Sequence, residues 1–192
     1  MEVKGEYLIE SNRDAVWAAL NDADMLQKCI PGCESLEKTG DNEFQGKVAA
    51  AIGPVRARFN TVIRLENAVP PESYTLTGES KAGAVGFGRG SANVQLVEQE
   101  GGTLLTYVAE FKVGGKLPQV GSRLVAGATK KTADDFFSCL SRELRSTQEA
   151  ATTANPATAA GGDAKSSPGL SRAGIALSVA VIGLLVWWFL LR

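Results

Sequence analysis

Histidine is missing from all 192 residues. That removes the commonest general base near neutral pH and the commonest metal ligand, and with them Ser-His-Asp, Cys-His and HExxH chemistry within this chain. Any catalysis falls to carboxylates, lysine, tyrosine or cysteine. Cysteine is scarce: Cys29, Cys33 and Cys139 are an odd, small set, which argues against a disulfide-stapled secreted domain and for a reducing compartment. The Cys29-x-x-x-Cys33 spacing is neither a CxxC redox pair nor half of a zinc site, so these residues read as structural thiols and no metal is expected. Charge of one sign is lacking too, with 20 Lys plus Arg against 21 Asp plus Glu, which excludes a basic nucleic-acid footprint. The first residues, Met1 to Tyr7, contain no apolar run of the secretory kind, so the N-terminal bulk is expected to stay in the cytoplasm. No GxxxxGK[ST] occurs, and the glycine-rich stretch 83–90 lies within a strand pattern, so it reads as bent or bulged strand rather than a phosphate loop.

One long apolar run is present, at the other end. Residues 173–191, AGIALSVAVIGLLVWWFLL, carry no charge and lie between Arg172 and Arg192. As a helix they would span about 28 Å at ~1.5 Å per residue, near the ~30 Å hydrocarbon thickness of a bilayer. The expectation is a single membrane-spanning anchor over residues 172–192, with Trp187 and Trp188 near an interface and a mild positive-inside bias from Lys165 and Arg172 that leaves the N-terminal domain cytoplasmic. Residues 146–171 are dominated by Ala, Thr, Ser, Gly and Pro. They hold too little apolar surface to order themselves and read as a disordered tether.

Residues 1–145 form one domain. Val55, Ala57, Phe59, Thr61, Ile63 and Leu65 alternate with Arg56, Arg58, Asn60, Val62, Arg64 and Glu66, the period of a half-buried strand. The same pattern runs through Val3–Ile9, Phe44–Ala50, Tyr74–Leu76 and Leu105–Val113, which predicts an antiparallel sheet. The parity of the apolar residues flips between Phe87 and Ala92, and Gly88 and Gly90 are placed to absorb the shift as a bulge or bend. Ser11 to Asp14 cap a first helix carrying Val16, Trp17 and Leu20, a short turn follows near 22–28, and Pro31-Gly32 ends it. Val120, Leu124, Ala128, Phe136, Phe137, Leu140 and Leu144 recur at helical spacing and predict a long helix over about 117–144. Strand, helices, six strands and long helix make an α+β domain whose curved sheet wraps a C-terminal helix and can enclose an apolar cavity. Arg56, Arg58 and Arg64 face outward, as solvated surface or as a dock for an acidic partner.

Ile30-Pro31-Gly32-Cys33-Glu34 with Leu36-Glu37, Ile52-Gly53-Pro54-Val55, and Gly114-Gly115-Lys116-Leu117 leading to Val120-Gly121-Ser122-Arg123-Leu124 occur together in one chain with Trp17 and Leu20. Over roughly residues 1–145 this combination resembles the family of the carbon monoxide dehydrogenase CoxG subunit, of the START-like helix-grip superfamily. Thr61 stands where a typical member has glycine. The resemblance implies a non-catalytic accessory protein of a molybdenum carbon monoxide dehydrogenase, or a related molybdenum hydroxylase, that connects the enzyme to the membrane and its quinone pool.

An apolar cavity supplies a mechanism for that implication, because a quinone tail does not cross water freely and its burial is worth ~0.8 kcal/mol per methylene before ordering costs. The inward rows Phe59, Ile63, Leu76, Phe87, Leu96, Tyr107 and Phe111, facing Leu124, Ala128 and Phe136, are the candidate lining. Gly46, Ala50, Gly78 and Ala109 leave volume among them. Ordinary core is the competing reading of the same pattern. Arg123 is a candidate for a ligand carbonyl or a partner carboxylate, with loop capping as its alternative. No covalent cofactor or metal is expected, and the bound molecule is expected to be a quinone. Two other functions stay open: an adapter that recruits the dehydrogenase with its interior packed shut, and a cyclase or hydratase of the kind this fold can host.

Overall fold

The computed structural model of the chain describes residues 1–153, with side chains to residue 149. The predicted anchor, and the tether beyond residue 153, lie outside the described residues. Among the described residues no helix is long and apolar enough to cross a membrane.

The element order is β1 (Glu2–Ile9), α1 (Arg13–Leu20), α2 (Ala23–Cys29), β2 (Cys33–Gly40), β3 (Glu43–Ile52), β4 (Val55–Val69), β5 (Ser73–Lys81), β6 (Gly86–Gln99), β7 (Gly102–Gly115) and α3 (Ser122–Thr153). The strands form one antiparallel sheet in the order β1-β7-β6-β5-β4-β3-β2. Strands β2 to β7 are thus a meander, and β1 pairs with the last of them. Alternation sorts the two faces as the sequence requires: Phe59 and Leu65 of β4 are buried while Arg58 and Arg64 are exposed. Arg58 pairs with Glu34 at 2.7 Å and Arg64 with Glu43 at 2.8 Å across neighbouring strands. The β3–β4 hairpin turns on Gly53 and Pro54 between the paired Ile52 and Val55. Gly53 has φ of 58°, the left-handed setting that a two-residue hairpin needs and that a side chain resists.

The two short helices begin as their caps dictate. The Asn12 side chain accepts from the Ala15 amide at 2.8 Å, and that of Asp22 from the Met25 amide at 2.8 Å, each worth about 1 kcal/mol. Ile9, Val16, Leu105 and Leu140 are fully buried, so the densest packing lies where β1, α1, β7 and the C-terminal half of α3 meet.

Three expectations are corrected. First, β6 contains no bulge. Its pairing runs without a register shift on both sides, and Phe87 simply faces outward, 40% exposed. A side chain there is useful because Phe87 is paired with Gly114, and its ring fills the space a Cβ at Gly114 would take. Second, the long helix starts at Ser122 after a separate 3₁₀ turn at Leu117–Val120. It continues through 146–153, residues the composition assigned to the tether. Gln148 donates to the Ser11 hydroxyl at 2.8 Å, and this tertiary anchor, with the helix-forming Gln, Glu and Ala of that stretch, overrides its low hydrophobicity. Third, Cys29 and Cys139 are joined as a disulfide between α2 and α3, with Cα atoms 5.3 Å apart, and Cys33 alone is free. Sequence spacing hides this pair because its partners are 110 residues apart.

Candidate functional site

The sheet's inner face owes its hollow to small residues set side by side by register. One cross-sheet row reads Leu65, Leu76, Ala92, Ala109, and the next reads Ile63, Gly78, Gly90, Phe111. Ala92 and Ala109 present only a methyl and α3 places Ala133 over them, while Gly78 and Gly90, one row further along, are outside the lining. A Cβ built at Gly78 would make only ordinary contacts, 3.6 Å to Val62 O and 3.8 Å to Ile63, so the chain leaves that space unfilled.

The result is a cavity of about 290 Å³, at the small end of the range for small-molecule sites. Leu36, Phe44, Ile63, Leu65, Tyr74, Leu76, Ala92, Val94, Tyr107 and Ala109 contribute from the sheet; Leu20, Leu26, Ile30 and Pro31 from α1, α2 and the following turn; and Thr132, Ala133, Phe136 and Phe137 from α3. Of these, Thr132 alone is exposed, so the lining comes nearest to solvent at its edge of α3. The Ile30-Pro31 segment belongs to the motif that resembled a known family, and its place in the structure is the cavity wall next to the disulfide at Cys29.

Hydroxyls of Tyr74, Tyr107 and Thr132 are the polar side-chain groups contributed by the lining residues. Tyr107 sits opposite Gly5, where a Cβ would strike its ring at 2.8 Å, and its ring lies parallel to that of Tyr7. Tyr7 stacks on Phe137 with centroids 4.2 Å apart and donates to Asp134 Oδ1 at 2.6 Å. Burial, then the bond to Asp134, raises the Tyr7 phenol above its ordinary range. That same bond, followed by the one from Lys130, holds the Asp134 carboxyl below the usual carboxylate range. The cavity wall is thereby fastened to α3 from outside. Tyr74 is different: it is 5% exposed, burial alone pushes its phenol up, and its hydroxyl has no hydrogen-bond partner among the described residues. Trp17, singled out in the sequence, meets Tyr74 edge-on at 5.4 Å and so backs the wall rather than lining it.

Four of the sequence candidates, Ile63, Leu76, Tyr107 and Phe136, border the cavity. Six do not. Phe59 and Leu96 are buried core. Phe87 is on the outer face for the reason given above. Phe111 lies on the inner row but beyond Gly90, nearer the open end of the sheet. Leu124 is 51% exposed beside Gly53, and Ala128, one turn later, is also outside the lining, because α3 passes over the cavity only from Thr132 onward. Arg123 is exposed near the helix start and away from the lining. Sequence reasoning missed the walls given by α1, α2 and Pro31, since periodicity assigns a residue to a face but not to one end of it. Thr61, which replaces the typical glycine, hydrogen-bonds Ser80 at 2.8 Å and closes that part of the β4–β5 pair. No cluster of His, Cys, Asp or Glu suited to a metal occurs among the described residues.

Solved structures share this architecture. A conserved protein from Geobacillus kaustophilus superposes with a TM-score of 0.72 at 28% identity, covering 77% of this chain and 97% of its own. The Zhui aromatase/cyclase from a Streptomyces species gives 0.60 at 12% identity, over 79% and 97%, and a Thermus thermophilus protein gives 0.58 at 16%, over 77% and 99%; at such identities these two show the fold alone. No curated relative matches the chain. A family model for the CoxG subunit of carbon monoxide dehydrogenase matches residues 5–145. With that match spanning all but the first residues of the sheet, both short helices and the cavity-forming part of α3, the chain belongs to the carbon monoxide dehydrogenase CoxG family, an accessory rather than catalytic component of that enzyme.

Proposed function

We propose that this chain carries a quinone in the apolar cavity and passes it between the membrane and a carbon monoxide dehydrogenase, with residues 172–192 as its membrane anchor and the N-terminal domain in the cytoplasm. The observation that carries this reading is the cavity itself: about 290 Å³ lined almost wholly by hydrocarbon, with Ala92, Ala109 and Ala133 where bulkier residues would close it. A cavity of this polarity favours a lipophile over water, since each buried methylene contributes ~0.8 kcal/mol. Oxidation of carbon monoxide with water yields carbon dioxide, two protons and two electrons, and a quinone takes up both protons and both electrons as it becomes the quinol. The chain's own contribution is to shelter the acceptor outside the lipid and bring it to the enzyme.

Reconstitution tests this. Full-length chain, its dehydrogenase and quinone-loaded liposomes should support carbon monoxide-dependent quinol formation, and a cavity-filled variant such as Ala109→Phe should abolish it while still binding the enzyme. Equal rates with wild type and the filled variant would leave recruitment, not carriage, as the function.

A further inference from the structure

The unpartnered phenol of Tyr74 gives the cavity a direction. Among the described residues the one fully enclosed side-chain nitrogen or oxygen without a hydrogen bond is Arg13 Nε, so the Tyr74 hydroxyl, also without one, still touches open space. Tyr74 itself is 5% exposed and is one of the residues that line the cavity. It lies in the row Tyr74, Val94, Tyr107, and is flanked by Leu20 and Trp17 of α1. Thr132, the exposed edge, is on α3. Of the two tyrosines in that row, Tyr107 is only half-buried and its ring stacks on that of Tyr7, the residue bonded to Asp134. That leaves Tyr74 as the enclosed donor with a proton to give. A buried hydroxyl lacking a partner is a cost that a native fold rarely keeps without use.

We propose that Tyr74 donates its hydroxyl proton to a carbonyl oxygen of the bound lipophile, so that the ligand sits with its carbonyl-bearing ring innermost and its hydrocarbon tail toward Thr132. The inference rests on the carrier reading and sharpens it. The site selects for a hydrogen-bond acceptor at the tip of an otherwise apolar molecule, and the tail leads out past Thr132, where it can follow the ligand back into lipid. A hydrocarbon of the same shape gains nothing from Tyr74 and leaves the phenol unpaired.

Two probes of equal shape separate these ideas: 2,3-dimethyl-1,4-naphthoquinone, which also offers no free ring position to the Cys33 thiol, and 2,3-dimethylnaphthalene, which lacks the carbonyls. Binding is measured to the full chain in one detergent, for wild type, Tyr74→Phe and Ala109→Phe. Tyr74→Phe should weaken the quinone about three- to tenfold, the value of one neutral hydrogen bond, and leave the naphthalene unchanged. Infrared spectra of the wild-type complex should show one carbonyl band shifted to lower frequency, absent with Tyr74→Phe; this reading does not depend on affinity. Equal effects of Tyr74→Phe on both probes, or an unshifted carbonyl band in the wild type, overturn the role of Tyr74. Failure of the naphthoquinone to bind wild type, or its undiminished binding to Ala109→Phe, overturns the carrier reading instead.

Discussion

Tyr7 donates its hydroxyl to Asp134 at 2.6 Å across 127 positions of sequence, and so fastens the first strand to the helix that roofs the cavity. The two groups shift in opposite directions, the phenol up and the carboxyl down. An acid whose pKa is lowered on folding stabilises above its unfolded value and loses that contribution as pH falls through the folded one. A phenol whose pKa is raised stabilises below its unfolded value of about 10 and loses that contribution as pH rises beyond it. The melting-temperature deficit of Tyr7→Phe should therefore be largest between about pH 5 and 9 and shrink toward both extremes. A deficit independent of pH would show that the pair contributes only packing.

Alkaline titration extends the test to Tyr74, whose phenol burial alone raises. Phenolate absorbance from Tyr7 and Tyr74 should appear together with unfolding rather than ahead of it, and Tyr74→Phe should move alkaline unfolding to higher pH. Early, reversible ionisation of both in the folded chain would contradict their burial.

The disulfide between Cys29 and Cys139 closes a separation of 110 residues. Cross-links of this kind contribute about 2–4 kcal/mol, so Cys139→Ser or a reductant should lower stability by about that amount in denaturant titrations, whereas Cys33→Ser should not alter the response to reductant. Denatured, unreduced chain should release one thiol, that of Cys33. Three thiols would restore the reading drawn from cysteine count.

Glycines in the sheet divide by what surrounds them. At Gly90 an added Cβ would stand 2.3 Å from Glu110 O, a backbone atom that cannot swing aside, so Gly90→Ala should cost about 1–3 kcal/mol. Gly78→Ala meets nothing closer than 3.6 Å and should be near neutral. Equal costs at the two positions would mean that the hollow beside Gly78 collapses in solution.

Much of this fold was legible because period two and period 3.6 are written plainly in residues such as Val55–Leu65 and Phe136–Leu144. The hollow was half legible: Gly78 and Ala109 announce missing volume, yet only register shows that Ala92 lies beside Ala109 and Gly90 beside Gly78. Leu124 and Ala128 misled because they share the helical stripe with Phe136, and the stripe does not say where the helix crosses the cavity. Phe87 misled because an outward aromatic covering Gly114 resembles a register shift. The disulfide and the Gln148–Ser11 contact depend on residues more than 100 positions apart, which no local pattern encodes.

The most direct test of the account is native mass spectrometry of full-length chain purified from quinone-containing membranes, with Ala109→Phe and Ala133→Phe handled identically. Wild type should emerge from its micelles with one quinone bound per chain, and both filled variants should emerge without it. A wild type stripped of quinone under conditions that keep it folded, or the same occupancy in all three proteins, would contradict the claim that the cavity is a quinone carrier.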